Sequence, residues 1–310
     1  MALTITRAGD HPGASKVKAL VYGKSGAGKT HFGATAKNPI IAVCEKQAIS
    51  VIQAINPNAA IAVIEEPNDL LELISHLKSL IATGKCPYDT LVVDSVSEYQ
   101  RILKTKKIRD GGDAKENLTQ TEWMIVIDRT FNVSRAIRDL DMHILLLALS
   151  VTVAGEEDIP ASTHPAFNGK NLHTDMASIV NIEGFLAKKI LDDGRVVHAI
   201  AFDAPSGFDS KGHRSLAKVV MPHWPHIVAC VAGPSALGAE LLDTAEKQLG
   251  FGIEPLKSAV VLAEMSANKA APGAAAAQVH VAAVAPEVSK STEPKVDKPA
   301  APAVEKTAKK

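Results

Sequence analysis

Residues Gly23-Lys24-Ser25-Gly26-Ala27-Gly28-Lys29-Thr30 match G-x-x-x-x-G-K-[ST], the phosphate-binding P-loop. The motif needs a strand before it and a helix after it. Val17-Lys18-Ala19-Leu20-Val21-Tyr22 reads as the buried strand, and His31-Phe32-Gly33-Ala34-Thr35-Ala36 can continue as the helix. Gly23, Gly26 and Gly28 can take backbone angles closed to other residues and leave no side chain between loop and ligand. Successive N–H groups then form an anion-binding nest, aided by the helix terminus behind it. Lys29 is placed to reach the β- and γ-phosphates of ATP, and the Thr30 hydroxyl to sit on Mg²⁺. The competing explanation is a chance glycine turn with a solvated lysine.

The rest of the composition narrows the setting. Formal net charge is zero over 310 residues, so no global field draws the chain to nucleic acid or to acidic membranes. Cys44, Cys86 and Cys230 are few, odd in number and far apart, which fits neither a disulfide framework nor a zinc pattern. They read as small buried hydrophobes in a reducing cytoplasm. The first ten residues lack the apolar core of a signal peptide. The longest apolar run, Ile144 to Ala154, is broken by Ser150 and Thr152 and is too short to span a bilayer. A cytoplasmic protein with no membrane contact is expected.

Apolar runs alternate with helical spacings along the chain. Ile40–Cys44, Ala60–Ile64, Thr90–Asp94 and Met142–Leu149 read as strands, with Asn38-Pro39 closing the P-loop helix. Residues 68–83, 95–109 and 120–140 read as helices, Gly84 stopping the first of them. Ile179–Lys189 and Arg195–Phe202 suggest a hairpin turning at Asp192-Asp193-Gly194, and 152–172 a long functional loop. The expected fold class is α/β: a mostly parallel sheet flanked by helices, with an antiparallel hairpin at one edge. Residues 1–15 are assigned to a flexible lead-in, 16–232 to the nucleotide-binding core and 233–266 to a helical extension with a helix near 234–249. Residues 267–310, rich in Ala, Pro and Lys, are assigned to a disordered tail.

A P-loop binds nucleotide, but hydrolysis needs a second acid for the metal and a group that orients water. Asp94 ends an apolar strand and is the candidate Mg²⁺ partner; as an alternative it would merely cap the helix beginning at Val96. Two acids compete for the water. Glu45 ends the strand after the P-loop helix, and a strand tip is rigid; Glu98 lies one helical turn past Asp94. Ser150, at the end of the Met142–Leu149 strand, is a candidate sensor of the γ-phosphate.

Taken together, the GKSGAGKT loop, Glu45, Leu91-Val92-Val93-Asp94-Ser95 and the Ile144–Ser150 strand resemble the RecA-like ATPase core. The resemblance is nearest to phage-encoded RecA-like nucleotide-binding proteins, the single-strand-annealing recombinases related to RecA and RadA. It extends through Gln120-Thr121-Glu122-Trp123 and Pro165-Ala166-Phe167-Asn168-Gly169-Lys170 to Lys211-Gly212-His213-Arg214, over roughly residues 15–225. It implies a RecA-like fold, water activation at Glu45, and an Asp-Ser pair at Asp94-Ser95. It also implies a ring or filament of identical subunits, in which Lys211 and Arg214 act on a neighbour's nucleotide, Arg214 as an arginine finger. The implied partner is single-stranded DNA, contacted by residues 104–119 and 152–172, with a host single-strand-binding protein as a further partner.

The basic run Arg101, Lys104, Lys106, Lys107 and Arg109 would track phosphates, although aromatic platforms for bases are scarce. Two other classes stay open. One is a small-molecule kinase, which would want an arginine-bearing lid that 152–172 does not supply. The other is a nucleotide-switched structural protein with negligible turnover.

Overall fold

The computed structural model describes residues 16–112, 115–154, 161–190, 196–203 and 207–232. The chain divides into units 1–266 and 267–310, and every described residue lies in the first. In chain order the elements are β1 (Lys18–Gly23), α1 (Lys29–Ala34), β2 (Pro39–Val43), α2 (Ala48–Ile55), β3 (Ala60–Val63), α3 (Pro67–Ala82), β4 (Thr90–Asp94) and α4 (Val96–Arg109). They continue as α5 (Gln120–Arg138), β5 (His143–Val153), β6 (Ser162–Pro165), α6 (Leu172–Ser178), β7 (Ile182–Ile190), β8 (Val196–Ala201), β9 (Val219–Val220) and α7 (Trp224–Ala232).

One sheet collects the strands in the order β3-β2-β4-β5-β1-β7-β8-β9, with β6 paired to β5 off that path. The six from β3 to β7 are mutually parallel, while β8, β9 and β6 pair antiparallel. The expected α/β architecture is therefore present. The central strands are apolar on both faces because helices cover both. One face packs Leu20, Leu91, Val93, Ile144 and Leu146 under α3, α4, α5 and α6. The other packs Val21, Val92, Leu145 and Leu147 under α1, α2 and α7. No helix among the described residues is long and apolar enough to cross a membrane.

Several helix starts are written locally. Glu122 accepts from the Thr119 N–H at 3.0 Å while Thr119 accepts from the Glu122 N–H, a reciprocal capping box that opens α5. Glu122 thus has a structural role at the start of α5. In α3, Pro67 occupies the first turn and Asp69 accepts from the Glu66 N–H at 2.8 Å.

The structure departs from the sequence reading at four places. The P-loop helix ends at Ala34, four residues before Asn38, because Thr35 caps it and donates to the Phe32 carbonyl. α2 forms where no helix is expected. Residues 152–172 are not one loop: β5 runs past Ser150 to Val153, its β-branched Val151, Thr152 and Val153 suiting an extended pair with β6. The expected antiparallel hairpin is present at one edge, β7 pairing antiparallel with β8 and β8 with β9, while β7 joins the parallel set beside β1. The three cysteines are free but only half-buried. The lead-in 1–15, the turn at 192–194, the extension 233–266 with its helix at 234–249, and the tail 267–310 lie outside the described residues.

Glu183 on β7 is 2% exposed, and its Oε1 has no hydrogen-bond partner among the described residues. Burial first, then the charge of Asp209, pushes its carboxyl up from 4.5 to about 7, against the opposing pull of Lys211. Across that window the folded chain holds a proton the unfolded chain has released, so stability falls as pH rises through it. The full shift corresponds to about 3 kcal/mol. Glu183→Gln should flatten this decline. Buried His143 and His223, lowered to about 4, add a rise with pH that is the same in both proteins, so the urea midpoint of the wild type should fall relative to that of the variant from about pH 5 to 8. A constant difference between the two would place the titrating group elsewhere.

Candidate functional site

The site forms where β1 ends. Gly28 has φ +97°, a left-handed conformation open to glycine, and the chain then turns into α1. Lys29 is 8% exposed, and its Nζ donates to the Gly23 and Lys24 carbonyls at 2.9 Å each. Lys24, Ser25 and Gly26 form the exposed crest of the loop, and Ala27 is buried beneath it. Burial lowers the Lys29 pKa, while Asp94 and Glu45 act to raise it. An anion in the loop would work in the same direction as those two carboxylates.

The strand order brings the acids to this loop. β5 lies between β1 and β4, and α1 leans across it. Gly33 permits the approach: a Cβ there would stand 2.9 Å from Val92 Cγ1 and 3.2 Å from Leu147 Cδ1. With the helix that close, Thr30 Oγ1 donates to Asp94 Oδ2 at 2.6 Å. Hydroxyl and carboxylate, 64 residues apart in sequence, meet beside the lysine. Asp94 is 8% exposed; burial raises its pKa, opposed by the Thr30 hydrogen bond and by Lys29. A divalent cation would relieve that penalty, and the two oxygens are of the hard donor type that Mg²⁺ takes. Asp94 does not cap the next helix. Ser95 does, its hydroxyl accepting from the Glu98 N–H at 3.3 Å.

The two candidate bases are neighbours rather than alternatives in separate places. Glu45 is exposed just past β2, next to β4, and Glu98 is half-buried on the first turn of α4. Desolvation, then the charges of Glu98 and Asp94 and a hydrogen bond with Glu98, raise the Glu45 pKa; Arg101 opposes this. Arg101 itself pairs with Glu98 at 2.8 Å. Gln47 donates to Glu45 at 3.0 Å, and Lys46 is turned away to pair with Glu65.

Ser150 is half-buried and pairs with Pro165 inside the β5–β6 ladder, so it is not a free strand end. The sequence reading missed Ser97, whose hydroxyl accepts from the Leu149 N–H at 3.0 Å and ties the middle of β5 to α4. It also missed Gln100, which grips the Asn168 main chain through both its amide atoms, at 2.8 and 2.9 Å. No spacing in the sequence marks either contact, because each joins segments more than 50 residues apart.

Lys211 is engaged within the chain. Its Nζ donates to the Val180 carbonyl at 2.7 Å and the Ala177 carbonyl at 3.2 Å, beside the end of α6. Arg214 is exposed. Of the basic run on α4, four charges have partners at hand: Arg101 with Glu98, Lys106 with Asp110, Arg109 with Glu66, and Lys104 over the Trp123 ring at 5.3 Å.

Among solved structures, the chain is similar to an ATPase described as prototypical of the type III secretion system of pathogenic bacteria. The identity is 11% and the TM-score 0.35, over 55% of this chain and 51% of that one, so this chain spans about half of that protein's length. No curated protein matches the chain. The model of the AAA domain family matches residues 15–213, from the start of the described chain to the segment beyond β8. That match covers well over half of the sequence and takes in the loop, the Thr30–Asp94 contact and both glutamates, and the chain belongs to the AAA domain family of P-loop NTPases.

Proposed function

We propose that this protein is a Mg²⁺-dependent ATPase, with Lys29 and the loop amides holding the phosphates and Thr30 and Asp94 holding the metal. The observation that carries the proposal is the 2.6 Å Thr30–Asp94 hydrogen bond beside a nearly buried Lys29. Phosphoryl transfer asks little of a protein beyond position and charge, and these three side chains supply both. Held by Thr30 and Asp94, Mg²⁺ would supply positive charge against the negative charge that develops in phosphoryl transfer. Glu45, with Glu98 against it, would take the proton of the attacking water; a γ-phosphate sensor at Ser150 would have to act from within the β5–β6 ladder.

The finer reading follows from the resemblance to phage-type recombinases: turnover coupled to single-stranded DNA in annealing or strand exchange, by a ring or filament. Its support is that resemblance together with the basic strip on α4. Four of those five cations already have partners, so DNA would have to compete for them. The trans role of Lys211 would likewise require it to leave the Ala177 and Val180 carbonyls, whereas Arg214 is exposed and ready.

The experiment is the ATPase rate with and without single-stranded DNA at two salt concentrations, with particle size measured in ATP. Stimulation that fades with salt, alongside assembly in nucleotide, supports the DNA reading. Turnover indifferent to DNA removes it and leaves the ATPase standing.

A further inference from the structure

β8 reaches the phosphate loop through one side chain. His198 lies two residues before Ile200, which is buried with Phe32 and Leu186 on the α1 face of the sheet. Residues two apart on a strand share a face, so the imidazole is directed to the same side. Its Nδ1 stands 2.7 Å from the Ala27 carbonyl oxygen. It also stands against Gly28, where a Cβ would come within 3.1 Å of the same nitrogen. His31, in the first turn of α1, is near enough for the charge of His198 to act on it.

A trans peptide is planar, with its C=O and N–H pointing opposite ways. Drawing the Ala27 carbonyl toward β8 turns the Gly28 N–H away from β8. Ala27 uses its own N–H on the Lys24 carbonyl at 3.1 Å, so the two hydrogen bonds hold this residue from both ends.

We propose that His198 is a positioning residue for phosphate binding: its Nδ1–H donates to the Ala27 carbonyl and so aims the Gly28 N–H at the ligand's phosphate. The role requires the Nδ1-protonated imidazole. It makes the β7–β8 hairpin part of the binding site although none of its side chains is asked to touch the nucleotide. The inference rests on reading the loop as a nucleotide site, and the test separates the two.

A fluorescent ADP analogue is titrated into the full-length wild type, His198→Leu, His198→Asn and Lys29→Ala. Asn presents an amide N–H close to where Nδ1 sits, and Leu keeps bulk without a donor. His198→Leu should weaken binding about fivefold, the range set by losing one hydrogen bond, and His198→Asn should restore it to within about twofold. The KM for ATP should rise in step with little change in kcat, since the aimed N–H serves ground and transition states alike. Melting without nucleotide checks the fold. Should His198→Leu not fold, His198→Gln, whose donor lies one carbon further out, takes its place with the same expected loss.

Wild-type affinity in the Leu variant overturns the proposal. So does an equal loss in the Leu and Asn variants, which would assign the effect to packing. Wild type that binds no better than Lys29→Ala overturns the nucleotide site itself and this inference with it.

Discussion

Lys29→Ala abolishes nucleotide binding and turnover and leaves a folded protein. Lys29 is the cation nearest the loop's interior, and its ammonium is held by the loop's own Gly23 and Lys24 carbonyls. Those two bonds place it where phosphate oxygens would arrive. Removing one preorganised charge from a transition state costs on the order of 10²–10³ in rate. Loss of binding takes the effect further. The fold should survive because the change falls where β1 gives way to the exposed crest at Lys24, and the strands beneath are held by apolar contacts on both faces. ATPase rate, nucleotide titration and a melting curve on one preparation check all three statements. Turnover equal to wild type would reject the site.

The second large effect separates the two glutamates. If Glu45 takes the proton from water, Glu45→Gln lowers turnover by about 10²–10⁴ while nucleotide binding persists. Glu98→Gln should then do something different. Glu98 raises the Glu45 pKa by charge and by a hydrogen bond, after desolvation. A base works in its ionised form, so a raised pKa sets the acid limb of the pH–rate profile above that of an ordinary glutamate. Without the Glu98 charge the Glu45 pKa drops and the acid limb moves to lower pH. Rate near neutrality changes little. Should Glu98→Gln abolish turnover and Glu45→Gln merely shift the profile, the roles are reversed. Should neither affect turnover, water is activated by another group.

Much of this was legible in the amino-acid sequence because it is local. The loop, the strand before it and the helix after it lie within about twenty residues, and each piece carries its own signal. The apolar strands were readable for a related reason: burial on both faces leaves a run without polar interruption, as at Leu91-Val92-Val93 and Ile144–Ala148. Asp94 was findable because a charged residue closes such a run.

What stayed hidden is tertiary. Ser97, Gln100 and His198 act on main-chain atoms 52, 68 and 171 residues away, and nothing about a lone serine, glutamine or histidine announces that. β6 was lost inside a supposed loop because Ser162-Thr163-His164-Pro165 has the composition of a turn, and only its pairing with Ser150–Val153 makes it a strand. α7 went unseen for the same reason. Its anchor, Trp224, is fixed by Thr35 and Thr90, far earlier in the chain, through hydrogen bonds at 3.0 and 3.2 Å.

One measurement bears most directly on the whole account: a crystal structure of the protein with Mg²⁺ and a non-hydrolysable ATP analogue. The account predicts a triphosphate cradled by main-chain N–H groups of residues 26–30, with the Lys29 ammonium moved from the Gly23 and Lys24 carbonyls onto it. The ion should lie within reach of Thr30 Oγ1, with Asp94 facing it. A nucleotide bound elsewhere, or Asp94 turned away from the metal, would contradict it.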